Sequence, residues 1–308
     1  MAGPEEGCER QDLAIVTCSM PADLELFALL ARSVDECADP AIPHRVVVPG
    51  SSLALFRPFA NARREIIAQE DVLPVRLRQL PAVLRHASAI VPGLRRPLYL
   101  DRRLRLVKGW ILQQLLKLEM TRTAPERAVM HVDSDVFFVR DFDASAAFPE
   151  GKPHFFRAVG KTTNPRHAVW IDTAAALLGA ADRVDYATHY IENCVLWDRP
   201  TLARMLERIE AVQGESFADA LIGIKEFSEY YVYGCFVDWI EGREGLSAMP
   251  RPFCRTFWPE GDRLDYDADR EIAALGPQHL AMAVQSTFGI PPVERAAVFE
   301  RVRADLGG

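Results

Sequence analysis

Two aspartates stand inside one of the most apolar runs of the chain. The run is "AVMHVDSDVFFV", residues 128–139, and it carries Asp133 and Asp135 on either side of Ser134. Without that triplet the run would be typical of a plain buried strand. Side chains two apart on a strand point to the same face, so the two carboxylates are expected to project together. Converging carboxylates repel each other unless a cation lies between them.

Metal binding is the chemistry that such a pair supports. In open α/β sheets, ligands bind beyond the carboxyl ends of the strands, where this strand would present both acids. Carboxylate oxygens are hard donors that suit Mg²⁺ or Mn²⁺, and these ions in turn hold substrate phosphates. The alternative is an edge or a turn in which both acids are solvated, and a DxD triplet alone does not decide between the two.

The start of the chain predicts the architecture that would position the pair. "LAIVTCSM" (13–20) has the pattern of a buried strand, and "HRVVVPG" (44–50) that of a second one. Between them the apolar residues recur at the spacing of an amphipathic helix. A strand–helix–strand unit implies parallel strands. We therefore predict an α/β fold in one compact domain, a Rossmann-type mixed, mainly parallel sheet flanked by helices.

Two later helices carry polar residues of interest. "KGWILQQLLKLEM" (108–120) places Trp110, Gln114 and Lys117 on one stripe, at i, i+4 and i+7. Such a stripe either faces solvent or lines a cleft that binds a sugar or phosphate. An aromatic-rich helix is predicted within 226–240, with Ser228 as its N-cap. The other predicted elements are strands within 154–159, 189–198 and 279–286 and a terminal helix within 291–306.

Composition excludes several classes of protein. Of the 308 residues 49% are hydrophobic and 26% charged, as in soluble globular proteins, and the net charge of -7 gives no reason to expect nucleic-acid binding. No apolar run is long enough for a transmembrane helix. Residues 1–10 are predicted to be a disordered lead without signal-peptide features. The six cysteines form no CxxC pair, which argues against a disulfide framework or zinc site and favours a cytoplasmic location.

One stretch departs from the acidic composition. Residues 76–108 contain nine arginines and lysines and a single acid, Asp101. The stretch is either a solvated face or a local site for anions, which would be phosphates or an anionic membrane surface. Contact with the inner face of a membrane would therefore be at most peripheral, through 76–108.

The order of these segments resembles the GT-A fold of nucleotide-sugar-dependent glycosyltransferases. "YIENCVLWD" (190–198) is similar to the segment that follows the DxD strand in glycogenin-like transferases, and "FSEYYVYGCF" (227–236) stands where those enzymes begin an acidic helix. "GWxxQQxxKL", "DSDVxFVRxF", "SEYxxYGxxV" and "QSxxGIP" together resemble a little-characterised bacterial group of GT-A-like proteins. The resemblance covers about residues 11–290. It implies a donor half at 11–140 and an acceptor half at 141–290, with residues 291–308 as a C-terminal helix.

The resemblance implies a hexosyltransferase that uses Mn²⁺ or Mg²⁺, of the kind found in polysaccharide biosynthesis. The donor would be a UDP- or GDP-linked sugar, and the acceptor a saccharide, a lipid-linked sugar or a small-molecule glycoside. Asp135 would coordinate the metal, Asp133 would assist it or hold the ribose, and Gln285 would be the third contact. The bound metal would neutralise charge that develops on the leaving diphosphate.

The remaining roles follow from the same resemblance. Thr17, Ser19 and Asp23 would contact the base and ribose of the donor. Gln114 and Lys117 would contact the donor sugar or its phosphates, and Asn193 would contact the sugar hydroxyls. Glu229 would be the acceptor-side carboxylate, a general base if the enzyme inverts or a stabiliser of positive charge if it retains. The alternative for Glu229 is a solvated acid at a helix N-terminus. Four aromatic residues are candidates for stacking on sugars, which are Trp170, Trp197, Tyr230 and Tyr233. The alternative is that they pack in the core.

The chain also departs from the glycogenin-like pattern. Cys194 stands where those enzymes have glycine, and their C-terminal "HxxGxxKPW" motif is absent. His279 begins a predicted strand, so we expect it to be structural. Other readings stay open: a non-catalytic sugar-binding protein with a GT-A-like core, a DxD phosphatase, or a sugar-1-phosphate nucleotidyltransferase.

Overall fold

The computed structural model describes residues 12–80, 98–160, 164–257, 266–285 and 289–306, so the predicted lead at 1–10 lies outside it. The strands within these ranges are β1 (Leu13–Cys18), β2 (His44–Val48), β3 (Arg64–Ala68), β4 (Arg78–Gln79), β5 (Leu98–Leu100), β6 (Leu106–Lys108), β7 (Ala128–Val132), β8 (Val136–Phe138), β9 (His154–Phe156), β10 (Ala158–Val159), β11 (Thr188–His189), β12 (Cys194–Asp198), β13 (Ser247–Met249), β14 (Cys254–Phe257) and β15 (Ala281–Val284). The helices are α1 (Leu24–Cys37), α2 (Leu53–Phe56), α3 (Gln69–Val72), α4 (Gly109–Thr123), α5 (Pro165–Leu178), α6 (Arg199–Gln213), α7 (Phe217–Ile222), α8 (Glu229–Phe236), α9 (Ala268–Ala273) and α10 (Pro292–Leu306).

The central sheet has five strands in the order β12–β7–β1–β2–β3. Strands β7, β1, β2 and β3 are parallel to one another, and β12 runs antiparallel to β7. This confirms the predicted α/β fold with a mixed, mainly parallel sheet. Because β1 and β7 are parallel, their carboxyl ends, at Cys18 and Val132, meet at one edge of the sheet.

Helices cover both faces of this sheet, which explains why its strands are almost continuously apolar. On β1, Leu13 and Ile15 belong to the core cluster that includes Phe27 of α1. The alternate residue, Val16, belongs to the cluster that includes Leu115 of α4. The strand alternation therefore decides which polar residues at the end of β1 face which helix.

The aspartate run is not one strand, which corrects the first expectation drawn from the sequence. Strand β7 ends at Val132 and β8 begins at Val136, with Asp133–Asp135 in the turn between them. The N–H of Val136 donates to the carbonyl oxygen of Asp133 at 3.2 Å. Strand β8 then joins a second sheet of order β14–β15–β8. The chain thus passes from one sheet to another at the DSD turn, and the two side chains do not share a strand face.

The basic stretch contributes a small antiparallel sheet of order β4–β5–β6. Residues 81–97 of that stretch lie outside the described ranges. Strand β6 ends at Lys108 and α4 begins at the next residue. Among the described residues, no helix has the length and apolar character needed to cross a bilayer.

Gly234 allows α8 to pack directly on an aromatic ring. A Cβ atom at this position would lie 2.3 Å from Cγ of Tyr190. The ring cannot easily move, because its hydroxyl donates to Asp238 at 2.7 Å. We expect Gly234→Ala to lower the free energy of unfolding by about 1–3 kcal/mol, measured by urea denaturation. The loss should shrink in a Tyr190→Leu background, and an equal loss in both backgrounds would contradict this account.

Candidate active site

A buried lysine lies between two carboxylates beyond the ends of β1 and β7. Nζ of Lys117, on α4, is 3.1 Å from Oδ1 of Asp133 and 3.4 Å from Oε1 of Glu229. It also donates to the hydroxyl of Tyr230 at 2.8 Å. Lys117 and Glu229 are almost fully buried, whereas a third of the Asp133 side chain is exposed. The structure therefore brings together four of the residues singled out in the sequence, which are Lys117, Asp133, Glu229 and Tyr230.

The charges in this cluster stabilise one another. Burial opposes the charge of Lys117, but Asp133, Tyr230 and Glu229 outweigh it and raise the pKa of Lys117 well above its usual value. Burial raises the pKa of Glu229, and Lys117 opposes that rise. Burial also raises the pKa of the nearby Cys18 thiol to about 12, so this cysteine stays protonated and is not a nucleophile.

Gln114 holds the start of α8. Its Oε1 accepts a hydrogen bond from the backbone N–H of Glu229 at 2.8 Å. Ser228 is the N-cap residue, but its side chain makes no capping hydrogen bond, which corrects the predicted serine cap. An amide from α4 thus satisfies a helix N–H that is usually satisfied locally. Since Gln114 and Lys117 lie on one helix, α4 fixes both the backbone and the carboxylate of Glu229.

The three donor-contact candidates at the end of β1 and beyond it lie in different places. The hydroxyl of Ser19 accepts a hydrogen bond from Ser134 at 2.9 Å, which ties the end of β1 to the DSD turn. Thr17 points to the opposite face, where its hydroxyl is 3.1 Å from Nε2 of His44. Asp23 is the half-buried residue that precedes α1. The structure therefore brings Ser19 to the turn and directs Thr17 away from it.

Asn193 and Gln285 flank the turn from two strands. Cys194 of β12 pairs with Val132 of β7 in antiparallel register, so Asn193 comes opposite Asp133. Nδ2 of Asn193 donates to Oγ1 of Thr256 at 3.2 Å. Gln285 directly follows β15, which pairs with β8 on the far side of the turn. The strand registers therefore put both residues beside the turn.

Arg295 of α10 is a residue that sequence reasoning missed. It is 2% exposed, and its guanidinium donates to the carbonyl oxygens of Val284, Gln285 (3.2 Å) and Ile290 (3.1 Å). Burial lowers the pKa of Arg295, and the negative charge of Asp135 opposes that shift. The available signal was periodicity, because Arg295 shares the core face of α10 with Val298, Phe299 and Val302.

A second missed residue is Glu192, within "YIENCVLWD". Its Oε1 accepts hydrogen bonds from the backbone N–H groups of Phe253 and Cys254, the latter at 3.2 Å. Its Oε2 is buried and has no partner among the described residues. Burial, opposed by those two hydrogen bonds, raises the pKa of Glu192 to about 8. At neutral pH Glu192 is therefore uncharged, and its two hydrogen bonds hold the start of β14 in place.

The DSD turn fits a hard divalent cation in its donor atoms. Oδ1 of Asp133 is buried and accepts no hydrogen bond within the described residues, so its contact with Lys117 is an ion pair alone. Asp135 supplies a second carboxylate at the same turn, and Gln285 follows the strand that pairs with β8 beside it. Among the described residues, no three His, Cys, Asp or Glu side chains form a metal cluster. Mg²⁺ accepts such a sparse set, since it is usually held by one or two carboxylates together with substrate phosphates and water.

Other candidates are occupied by structural contacts. Nδ1 of His279 accepts the N–H of Gly276 at 2.8 Å, as expected for a structural histidine. Trp197 and Tyr233 are 0% and 2% exposed and belong to the core, so they cannot stack on a sugar. Trp170 and Tyr230 are half-buried, and Tyr230 is the one in contact with Lys117.

Comparison with known proteins gives a family and several distant structural likenesses. No curated protein matches the chain. Apo mouse xyloside xylosyltransferase 1 is similar at 13% identity, with 91% of this chain and 100% of that chain covered and a TM-score of 0.47. The galactosyltransferase LgtC, in complex with donor and acceptor sugar analogues, is similar at 14% identity, with 95% of both chains covered and a TM-score of 0.43. At the level of families, residues 14–294 match DUF6492, and the chain therefore belongs to this family of unknown function.

Proposed function

We propose that this protein is a glycosyltransferase that moves a hexosyl unit from a UDP- or GDP-linked sugar to a saccharide, lipid-linked or small-molecule acceptor in the cytoplasm. The observation that carries the proposal is the buried Lys117 between Asp133 and Glu229, beyond the carboxyl ends of two parallel strands. That edge is where open α/β sheets bind ligands. The sequence resemblance to GT-A enzymes supports the same assignment.

The donor's diphosphate would lie at the DSD turn. Asp133, Asp135 and Gln285 would hold Mg²⁺ or Mn²⁺ there, and the bound ion would neutralise negative charge on the leaving diphosphate. Lys117 supplies a permanent positive charge at the same place, since its pKa is raised well above the usual value. Ser19 and Asn193 would orient the donor from the ends of β1 and β12. The division into a donor half and an acceptor half stays a prediction.

Glu229 is our candidate for the reacting carboxylate. Its carboxylate is buried, which raises its pKa, and Lys117 keeps that rise in check. A carboxylate with a raised pKa is a better general base near neutral pH, as an inverting mechanism requires. In a retaining mechanism the same negative charge would stabilise positive charge on the sugar. The Gln114 contact to its backbone would hold Glu229 in position for either role.

Titration calorimetry of UDP and GDP, with and without Mn²⁺, tests the donor site. We expect metal-dependent binding of one nucleotide, and an affinity at least about tenfold lower in Asp135→Ala, because that variant loses a metal ligand. The matched control is Asp141→Ala, whose carboxylate is 77% exposed and pairs with Arg303. It should bind like wild type. Absence of nucleotide binding by the folded protein would contradict the proposal and favour the phosphatase or sugar-binding readings.

A second measurement separates an enzyme from a sugar-binding protein. Incubation with the UDP- or GDP-sugars of the nucleotide that binds should release free nucleotide, slowly with water and faster with an acceptor. Binding without release from any donor would favour the non-catalytic reading.

A further inference from the structure

We infer that the β4–β5–β6 sheet and its hairpin tip form a docking surface for an anionic lipid bilayer. This surface, the basic hairpin face, is solvent-exposed at each of its six members, which are Arg76, Arg78, Arg102, Leu104, Leu106 and Lys108. Cross-strand pairing places Arg78, Leu100 and Leu106 in one row. The inference does not depend on the proposed function.

Two leucine side chains on this face are exposed to solvent. Leu104, in the turn between β5 and β6, is 78% exposed, and Leu106 is 52% exposed. Leu104 also has a φ of 61°, in the left-handed region that bulky side chains avoid. Backbone strain of this kind persists mainly where function requires it. The hairpin therefore holds an apolar side chain outward at a conformational cost.

The six basic side chains that the structure describes within residues 76–108 divide into two groups. Arg103 pairs with Glu215, and Arg105 pairs with Asp101 and Asp219. The other four, which form no ion pair with another described residue, are Arg76, Arg78, Arg102 and Lys108. A protein of net charge -7 thus presents a local surplus of positive charge on this face. Cations of this kind bind the negative surface of an anionic membrane.

The combination of leucine and arginine favours a bilayer over a soluble anion. The cations alone would be enough to bind the phosphate groups of nucleic acid. Exposed leucines, in contrast, are stabilised when they enter the apolar boundary of a membrane. The surface also adjoins the candidate site, since Lys108 directly precedes α4, which carries Gln114 and Lys117. Along the helix axis Lys108 and Lys117 are roughly 14 Å apart. Docking would therefore bring the candidate site to the membrane surface.

Vesicle co-sedimentation of the full chain tests this inference. We expect binding to vesicles in which about a third of the lipid is phosphatidylglycerol, no binding to pure phosphatidylcholine, and weakening with salt. Reversing both charges in Arg78→Glu/Arg102→Glu should lower the partition coefficient by more than about 20-fold, since each basic residue contributes about fivefold. The matched control is Leu55→Asn/Arg57→Glu, at another exposed leucine and arginine, and it should bind like wild type.

Leu104→Asn separates docking from folding. Asparagine adopts the left-handed conformation readily, so the melting temperature should stay unchanged or rise by about 2 °C. Vesicle binding should nevertheless fall about tenfold, because an apolar side chain is lost. The inference is overturned if the protein does not bind anionic vesicles, if it binds neutral ones equally, or if Leu104→Asn binds as tightly as wild type.

Discussion

Lys117→Met should lower the free energy of unfolding by about 3–5 kcal/mol and reduce transfer activity at least about 100-fold. The substitution keeps the length of the side chain and removes its charge. Asp133 and Glu229, which both contact Nζ in the wild type, would then be two carboxylates without their cation. Because a third of Asp133 is exposed, water offsets part of its loss, and most of the stability effect falls on Glu229.

The pKa of Glu229 connects the two effects. Burial raises this pKa, and Lys117 is the main group that lowers it. Without the lysine the pKa of Glu229 should rise further, and in its protonated form Glu229 would serve neither as a base nor as a negative charge. Lys117→Met/Glu229→Gln should therefore regain much of the lost stability but none of the activity. Urea denaturation of the four members of this double-mutant cycle measures the coupling.

A matched ion pair controls for the loss of stability. Arg45 pairs with Glu126 through two contacts of 2.8 Å, at the start of β2 and far from the strand ends that form the candidate site. Arg45→Met should also destabilise the fold, while nucleotide binding and activity at low temperature stay close to wild type. Equal loss of activity in both variants would show that Lys117 acts through stability alone.

Glu192→Gln should make the protein more stable at alkaline pH, by about 4–5 kcal/mol at most, and change little near pH 4.5. The glutamine oxygen can still accept the hydrogen bonds from Phe253 and Cys254. Its amide replaces the Oε2 atom, which has no partner among the described residues. The substitution thus keeps these two hydrogen bonds and removes the titratable proton.

The direction of this effect depends on which state holds the proton. The ordinary pKa of 4.5 applies to the unfolded chain, and burial raises the pKa of Glu192 to about 8 in the folded one. Below pH 4.5 both states are protonated, so stability is unaffected. As the pH rises toward 8, only the unfolded chain releases the proton, and the free energy of unfolding falls by about 1.4 kcal/mol per pH unit. Above that pH the loss is complete.

Urea denaturation at about pH 5 and about pH 8.5 measures the difference between wild type and Glu192→Gln. Glu271→Gln is the matched control, because Glu271 is equally buried but is paired with Arg255 at 2.8 Å. Neutralising that paired glutamate should destabilise the protein at both pH values. A gain for Glu192→Gln that is the same at both pH values would contradict the assigned pKa.

The sequence predicts those parts of the site whose positions follow from the periodicity of a single helix or strand. The stripe of Gln114 and Lys117 follows from helix geometry, and the place of Asn193 follows from the strand that it precedes. Alternation on β1 also puts Thr17 on the same face as Leu13 and Ile15, away from Lys117. This reading was available from the sequence, but the family resemblance suggested a donor contact instead.

The remaining features depend on contacts distant in sequence. Gln114 caps a helix 115 residues later, and nothing near Ser228 indicates that its own hydroxyl is not used. The DSD run keeps the pattern of one strand, although its two ends join different sheets. Helix periodicity puts Arg295 on the core face of α10 but does not indicate which groups its guanidinium contacts, and the burial of Glu192 depends on its contacts with residues about 60 positions later in the chain.

If Asp133 and Asp135 hold the proposed ion, the position of the DSD turn between two sheets would set what coordination chemists call the bite of a chelate. Asp133 follows a strand of the central sheet, and Asp135 precedes a strand of the other. The gap between their carboxylates is therefore governed by the angle at which the sheets meet, not by the pleat of one strand. Under the proposed function, substitutions that repack β15 against β8 would change the selectivity between a small ion such as Mg²⁺ and a larger one without altering either aspartate.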